Sequence, residues 1–336
     1  MALPSAGQPP PVGIQGEPPR RQLPDRAPPL IIIAGATATG KTDLAIRLSE
    51  VISGGEVISA DSRQVYRGLD IGTAKASAAD RARVPHHGLD LVDPDASFTL
   101  ADYVAHAHQA LWGIAQRGGV AVLAGGTGLY LRAIARGIAL DSIPADAALR
   151  AGIERDLAAG GLPALLARLD RLAPTFGSRI DRRNPRRVTR ALEIAEIQGD
   201  RSLPEPRGYP GPSLWLGLSV QPAAHRAWIA KRAQAQFDAG LLTEAAGLLA
   251  RYPPTLRSLS GIGYPEAFAV LEGRLTLEAA IALDIRRNNL FAKRQGTWFR
   301  REPDVQWFDA TSADPLAWAK QLATGMLGRF SSDPHG

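Results

Sequence analysis

The strongest chemical signal in the chain is Gly35-Ala36-Thr37-Ala38-Thr39-Gly40-Lys41-Thr42, which fits the phosphate-loop pattern G-x-x-x-x-G-K-[ST]. Glycines let a backbone wrap a phosphate so that amide N–H groups and a helix N-terminus point at it. Lys41 then supplies a point charge to the distal phosphate, and the Thr42 hydroxyl is placed to hold a Mg²⁺ ion. Such a loop says that a di- or triphosphate binds, not which one. Asp61 closes the next apolar run and is the second candidate. A carboxylate at the carboxyl edge of an α/β sheet lies where such sheets bind ligands. It serves there as a Mg²⁺ partner, a general base or a solvated strand end, and its position alone does not choose among these. No separate apolar run ending in aspartate competes with it.

These residues need a frame to hold them. Residues 30–34 are an unalternating, β-branched run directly before the loop, as expected of a strand buried on both faces. A helix is expected over 41–52, a strand over 56–61 ending at Asp61, a helix over 101–116 and a strand over 120–124 before Gly125-Gly126. This alternation marks an α/β parallel sheet flanked by helices. From about 144 to 198 the text turns to Ala, Leu, Arg and Glu at helical spacing, which reads as a helical insertion. Strand character returns at 215–220, helices are expected over about 222–251, 264–272 and 277–300, and 305–308 reads as a last edge strand. The division is therefore a Pro-rich, extended tail over 1–28, a catalytic core over 29–143, an insertion over 144–200 and the rest of the core over 201–330. The tail has no apolar segment of the kind a signal peptide carries, and its prolines prevent an amphipathic helix.

Composition bounds the remaining possibilities. The 336 residues are 45% hydrophobic and 21% charged, a balance that suits a globular chain. No run of about 18 apolar residues is present to span a membrane. With no cysteine, disulfide scaffolds, zinc–thiolate sites, iron–sulfur clusters and thiol nucleophiles are excluded. The net charge is +6, and among 39 basic residues only Lys41, Lys75, Lys231, Lys293 and Lys320 are lysine. Such a balance permits a polyanionic partner, and GC-rich coding produces the same arginine content. His86, His87, His106 and His108 have no acidic cluster beside them in sequence, so they are expected to be loop and helix-surface residues, not metal ligands.

Residues 58–75, reading ISADSRQVYRGLDIGTAK, are far more specific than the phosphate loop. They resemble the bacterial tRNA dimethylallyltransferases (tRNA isopentenyltransferases). Residues 85–90, 124–130, 190–193, 261–264 and 292–300 add similar blocks in the same order, so the resemblance spans about residues 30–301. It implies a P-loop-kinase-like core with a helical insertion and transfer of a dimethylallyl group from dimethylallyl diphosphate to the exocyclic N6 amine of the adenosine 3′ of the anticodon. On this reading the loop from Gly35 to Thr42, with Mg²⁺ on Thr42, holds the diphosphate of an allylic donor. Asp61 becomes the general base, and Thr37, Lys41 and Arg232 complete the reacting centre. The tRNA-facing set is Asp61, Ser62, Arg63, Gln64, Thr127, Arg150, Arg186, Arg187 and Arg190, the last three with Arg182 and Arg183 forming a phosphate surface. The target adenine must leave its stack to react. A cytoplasmic monomer of bacterial type is expected, with the anticodon loop of tRNA as partner and no membrane.

Three departures stand out: Arg183-Asn184 replaces the usual Asn-Asp, Asn288-Asn289 the usual Thr-Arg, and Gln236 an arginine four residues beyond Arg232. An adenylate isopentenyltransferase acting on free AMP and a P-loop small-molecule kinase are the alternatives. The long helical insertion argues against the first, and the 58–75 block has no use in the second.

Overall fold

Residues 27–138, 145–203 and 205–331 are described by the structure, a computed structural model. The Pro-rich segment over residues 1–26 and the first residue of the expected insertion lie outside them. The chain forms two compact units, one running up to Tyr130 and resuming at Pro210, the other comprising Leu131–Tyr209. In chain order the elements begin with β1 (Leu30–Gly35), α1 (Lys41–Val51), β2 (Gly55–Ser59), α2 (Ala78–Arg83), β3 (His86–His87), α3 (Leu100–Gln116), β4 (Val120–Ala124) and α4 (Gly128–Ala135). Then come α5 (Ala147–Leu172), α6 (Pro174–Ser178) and α7 (Pro185–Gln198). The first unit resumes with β5 (Ser213–Ser219), α8 (Pro222–Asp238), α9 (Leu241–Leu249), α10 (Tyr264–Leu271), α11 (Leu277–Phe299), β6 (Gln306–Asp309) and α12 (Pro315–Ser331).

The six strands make one parallel sheet in the order β3-β2-β4-β1-β5-β6. β1 is central: Leu30 to Ile33 pair with Ala121 to Ala124 on one side, and Leu30 to Gly35 pair with Ser213 to Leu218 on the other. Every residue of β1 is buried, which is why its sequence lacks alternation. On one face Ile31, Ile33, Val57, Val122 and Leu216 pack with Leu44 and Leu48 of α1 and with Ala319, Ala323 and Met326 of α12. Each such fully buried aliphatic side chain contributes roughly 1.5–3 kcal/mol. A separate core joins the segment after β2 (Val65, Tyr66, Leu69) to Phe237, Leu241, Leu248, Tyr264 and Phe268. The helices α8 to α11 are thereby tied to the loop that follows Asp61.

Four expectations are corrected. β2 ends at Ser59, so Asp61 lies two residues past the strand; Ala60 N–H still donates to Ala124 O, which holds the segment to the sheet edge. The helix expected over 222–251 is two, broken where Gly240 takes φ 101°, a conformation that favours glycine. His86 and His87 form the edge strand β3, and His106 Nε2 accepts the Gly88 N–H, so these histidines are structural, not loop and surface decoration. The short helices α2 and α4 and the long α12 were not expected at all.

In the second unit α5 and α7 pack around Ile153, Leu165, Leu169, Phe176, Val188 and Leu192. Gly161, at φ 69°, interrupts α5 just before Pro163. The Asn184 side chain caps α7 by accepting the amides of Arg186 and Arg187 at 3.1 and 3.3 Å, so this departure keeps the helix start. Glu193 is fully buried and accepts from the Asp146 amide and twice from Arg150.

The edge beside Asp61 has no room for a side chain: a Cβ on Gly125 would lie 2.1 Å from Ala60 O. Gly125→Ala should therefore lower stability by about 2–3 kcal/mol, as overpacking against backbone does, read as the drop in unfolding free energy in a urea titration.

Candidate active site

The loop after β1 follows from its sequence step by step. A Cβ on Gly35 would lie 2.7 Å from Leu218 O on β5, so only glycine lets the chain leave the middle of the sheet there. Ala38 (φ 59°) and Gly40 (φ 87°) make the left-handed turns that wrap the loop before α1 starts at Lys41. Inside, Thr39 Oγ1 and Lys41 Nζ both donate to Ala36 O, at 2.9 and 2.5 Å. From outside, Gln295 of α11 accepts the Thr37 amide at 2.8 Å and donates to Gly126 O at 2.9 Å, bridging the loop to the end of β4. Arg232 of α8 donates to Thr37 Oγ1 at 2.9 Å, and His225 Nε2 lies 2.8 Å from Thr37 O.

A cleft of about 410 Å³ is lined by the loop from Thr37 to Thr42 together with Asp61, Gln64, Thr73, His86, Gly125, Gly126, Trp228 and Arg232. The expected reacting residues Thr37, Lys41, Asp61 and Arg232 thus share one cavity. Burial, reinforced by the Arg232 charge, pushes Lys41 down to about 7, with Asp61 opposing. Burial also lowers Arg232, against the pull of Asp61 and Asp284. Two neighbouring cations are held in a poorly solvated place with one carboxylate of the cleft in electrostatic reach. A bound oligoanion satisfies such an arrangement.

Asp61 Oδ1 accepts the Arg63 amide at 2.8 Å, which fixes its direction. Thr127 Oγ1 accepts the Ser62 amide, and the Thr127 amide donates to Ala60 O. Thr127 therefore pins the segment carrying Asp61. The Gln64 amide is buried; its Oε1 accepts from Ser59 Oγ, and its Nε2 donates to Thr73 O and Ala74 O. Arg63 is turned away onto the carbonyls of Arg257 and Ser258 and the hydroxyl of Ser260. In the second unit, Arg150 and Arg190 both pair with buried Glu193, at 2.9 and 2.7 Å, and Arg182 pairs with Asp170. Arg186 and Arg187 are exposed, and among the described residues neither forms an ion pair.

Sequence reasoning missed Gln295 as a site residue, although it lies inside a quoted block; its partner Thr37 is 258 residues away. Asn288 donates to buried Asp284 at 2.6 Å, and Asn289 donates to Ile285 O. Gln236 donates to Ile71 O at 2.6 Å.

A parallel sheet whose central strand runs into a phosphate-type loop, with a carboxylate and two cations in the cleft at that strand's end, defines a P-loop-like α/β transferase. The chain belongs to the IPP transferase family. That family's model matches residues 64–302, and the isopentenyl transferase model matches residues 28–84. The chain is 46% identical over 292 residues to the tRNA dimethylallyltransferase of Roseiflexus sp. (strain RS-1), covering 85% of this chain and 94% of that one. It is 40% identical to the Symbiobacterium thermophilum tRNA dimethylallyltransferase, over 90% of this chain and 94% of that one. The crystal structure of the tRNA isopentenylpyrophosphate transferase from Bacillus halodurans superposes with a TM-score of 0.68 at 37% identity, covering 91% of this chain and 99% of that one. A eukaryotic dimethylallyltransferase acting on tRNA shares the fold, with a TM-score of 0.73 at 24% identity, over 91% of this chain and 80% of that one. The chain is an enzyme of the prenyltransferase class, and no helix among the described residues is long and apolar enough to cross a membrane.

The lowered Lys41 pKa has a measurable consequence. Above about pH 7 the lysine of the free enzyme is neutral, so binding an anion there takes up a proton. Burial holds His86 below its ordinary value and hence neutral across this range. Affinity for sulfate, which does not itself titrate here, should fall by about tenfold per pH unit above pH 7. Calorimetric titration from pH 6.5 to 8.5 checks this, and Lys41→Met should bind weakly with no such slope.

Proposed function

We propose that the cleft transfers a dimethylallyl group from dimethylallyl diphosphate to the exocyclic N6 amine of an adenosine next to the anticodon of a tRNA. The observation that carries this reading is the presence of Asp61 in the same cleft as Lys41, Thr37 and Arg232. Kinase chemistry on a nucleotide would use the loop, but it leaves the buried Gln64 and the segment around it without work.

In this reading the amine nitrogen attacks the allylic carbon and a C–N bond forms. The C–O bond to the diphosphate breaks, and its electron pair leaves with the diphosphate. The amine proton passes to the Asp61 carboxylate, which the Arg63 amide keeps aimed. An adenine amine is a poor nucleophile because its lone pair is delocalised, so a base within hydrogen-bond reach is worth about 10²–10⁴ in rate. Charge that accumulates on the leaving group meets Lys41, the loop amides and Arg232, with Thr37 held in place by Arg232 and Gln295. Thr42 lines the cleft, and its hydroxyl would hold a Mg²⁺ ion there, since Mg²⁺ on a phosphate needs only one or two protein ligands. The ion, when bound, neutralises charge on the diphosphate.

The RNA lies by the same reading against Asp61, Ser62, Gln64 and Thr127 at the base, with its phosphates on Arg186 and Arg187. Both arginines are exposed and without an ion-pair partner among the described residues. Arg150 and Arg190 hold Glu193 and serve this surface mainly by keeping α5 and α7 together. Arg63 braces the Asp61 segment. By the same reading the protein works as a cytoplasmic monomer.

The protein, given labelled dimethylallyl diphosphate, Mg²⁺ and either undermodified tRNA or AMP, should label the tRNA alone. Label on AMP and none on tRNA would favour the free-nucleotide enzyme and sink this reading. Asp61→Ala should cut transfer at least about a hundredfold, the lower end of what a general base supplies. Binding of tRNA in a filter assay should change by less than about threefold in that variant. A variant that turned over normally would remove Asp61 from the role of base.

A further inference from the structure

The segment Asp70 to Gly72 presents three consecutive backbone amides, and one carboxylate from α9 takes all of them. Asp70 N and Ile71 N donate to Glu244 Oε2 at 3.2 and 2.8 Å, and Gly72 N donates to Oε1 at 3.1 Å. Tyr264 Oη, from α10, donates a fourth bond to Oε1 at 2.7 Å. Successive amides converging on one point form an anion nest, and here the anion is internal. Gln236 holds the same segment from its other polar side by donating to Ile71 O at 2.6 Å. The fit is tight: a Cβ on Gly72 would lie 2.5 Å from the Tyr264 ring, and Gly263, at φ 102°, lies across from Gly72.

The two residues immediately C-terminal to this segment give the nest its use. Thr73 O and Ala74 O accept the Gln64 side-chain amide. Carbonyls only accept, so they fix which end of the Gln64 amide is NH₂ and leave Oε1 on the other side with Ser59. The amide orientation of a cleft residue is thus set by a loop whose own position is set by Glu244.

We infer that Glu244, with Tyr264, is a positioning residue for nucleobase recognition: it clamps the Asp70–Gly72 amides so that Thr73 and Ala74 hold Gln64 in its base-reading orientation. The inference rests on the proposed transfer to tRNA. It gives the Gly261-Ile262-Gly263-Tyr264 block a task, since Gly263 lies against Gly72 and the tyrosine completes the nest.

The test is steady-state kinetics on the full chain with Glu244→Gln, which keeps the side-chain shape but loses the charge and one acceptor oxygen. The KM for tRNA should rise about tenfold, the loss of roughly one charge-assisted hydrogen bond, while the KM for dimethylallyl diphosphate stays within twofold. Tyr264→Phe should move the tRNA KM in the same direction but less. Hydrogen–deuterium exchange without substrate should show faster exchange over residues 69–75 in Glu244→Gln and no change in β1 or β4. A tRNA KM within twofold of the native enzyme, or a rise in both KM values together with a general loss of exchange protection, would overturn the inference. If the native enzyme itself failed to modify tRNA, the proposed function would fall and this inference with it, whereas a normal native enzyme with an unmoved Glu244→Gln variant would remove the inference alone.

Discussion

Burying Lys41 and Arg232 side by side is the costly step around which the site is organised. Each loses hydration, which lowers both, and the Arg232 charge lowers Lys41 further. The protein only partly offsets this. Ala36 O accepts one hydrogen bond from Lys41, Thr37 Oγ1 accepts one from Arg232, and Asp61 and Asp284 act at longer range. The remainder is left for a bound anion. Such a site favours an oligoanion, because the ligand relieves the cost of the buried charges in addition to making contacts.

Such a site demands a rigid wall, and the sheet supplies it. The loop leaves the buried central strand through a glycine that β5 will not let grow, and Gln295 and His225 hold Thr37 from α11 and α8. Asp61 is held from three directions: the Ala60 amide on Ala124, the Ser62 amide on Thr127, and the Arg63 amide on its own carboxylate. The phosphate-type loop and the carboxylate are thus fastened to strands of one sheet, β1 through β4 to β2, instead of to flexible connections. Reactive groups placed this way need little reorganisation during the reaction.

Where local pattern carries the information, the chain is readable. An apolar, β-branched run such as Leu30 to Ala34 ahead of a glycine reads as a doubly buried strand, and a glycine-rich stretch ending in Lys41-Thr42 announces a phosphate loop before a helix. The pairing of Arg190 with Glu193 follows from helical spacing. Other features depend on contacts far apart in the chain. Gln295 reads as an ordinary helix glutamine until it meets Thr37, and the pairing of Arg150 with Glu193, 43 residues away, has no signal in the local pattern. The two-residue strand at His86 and His87 is too short for any periodicity, and α12 carries small residues whose apolar stripe is faint. Gln236 has its partner in a loop carbonyl at Ile71, which no spacing rule would connect.

The order in which these parts leave the ribosome bears on when activity becomes possible. β1 must wait for β5, which pairs with it only after Ser213, and the loop it carries must wait further for Arg232 and then Gln295. Pairings this distant close late and slowly. A nascent chain stalled before about residue 295 carries the whole phosphate loop and Asp61 yet lacks the brace that holds Thr37.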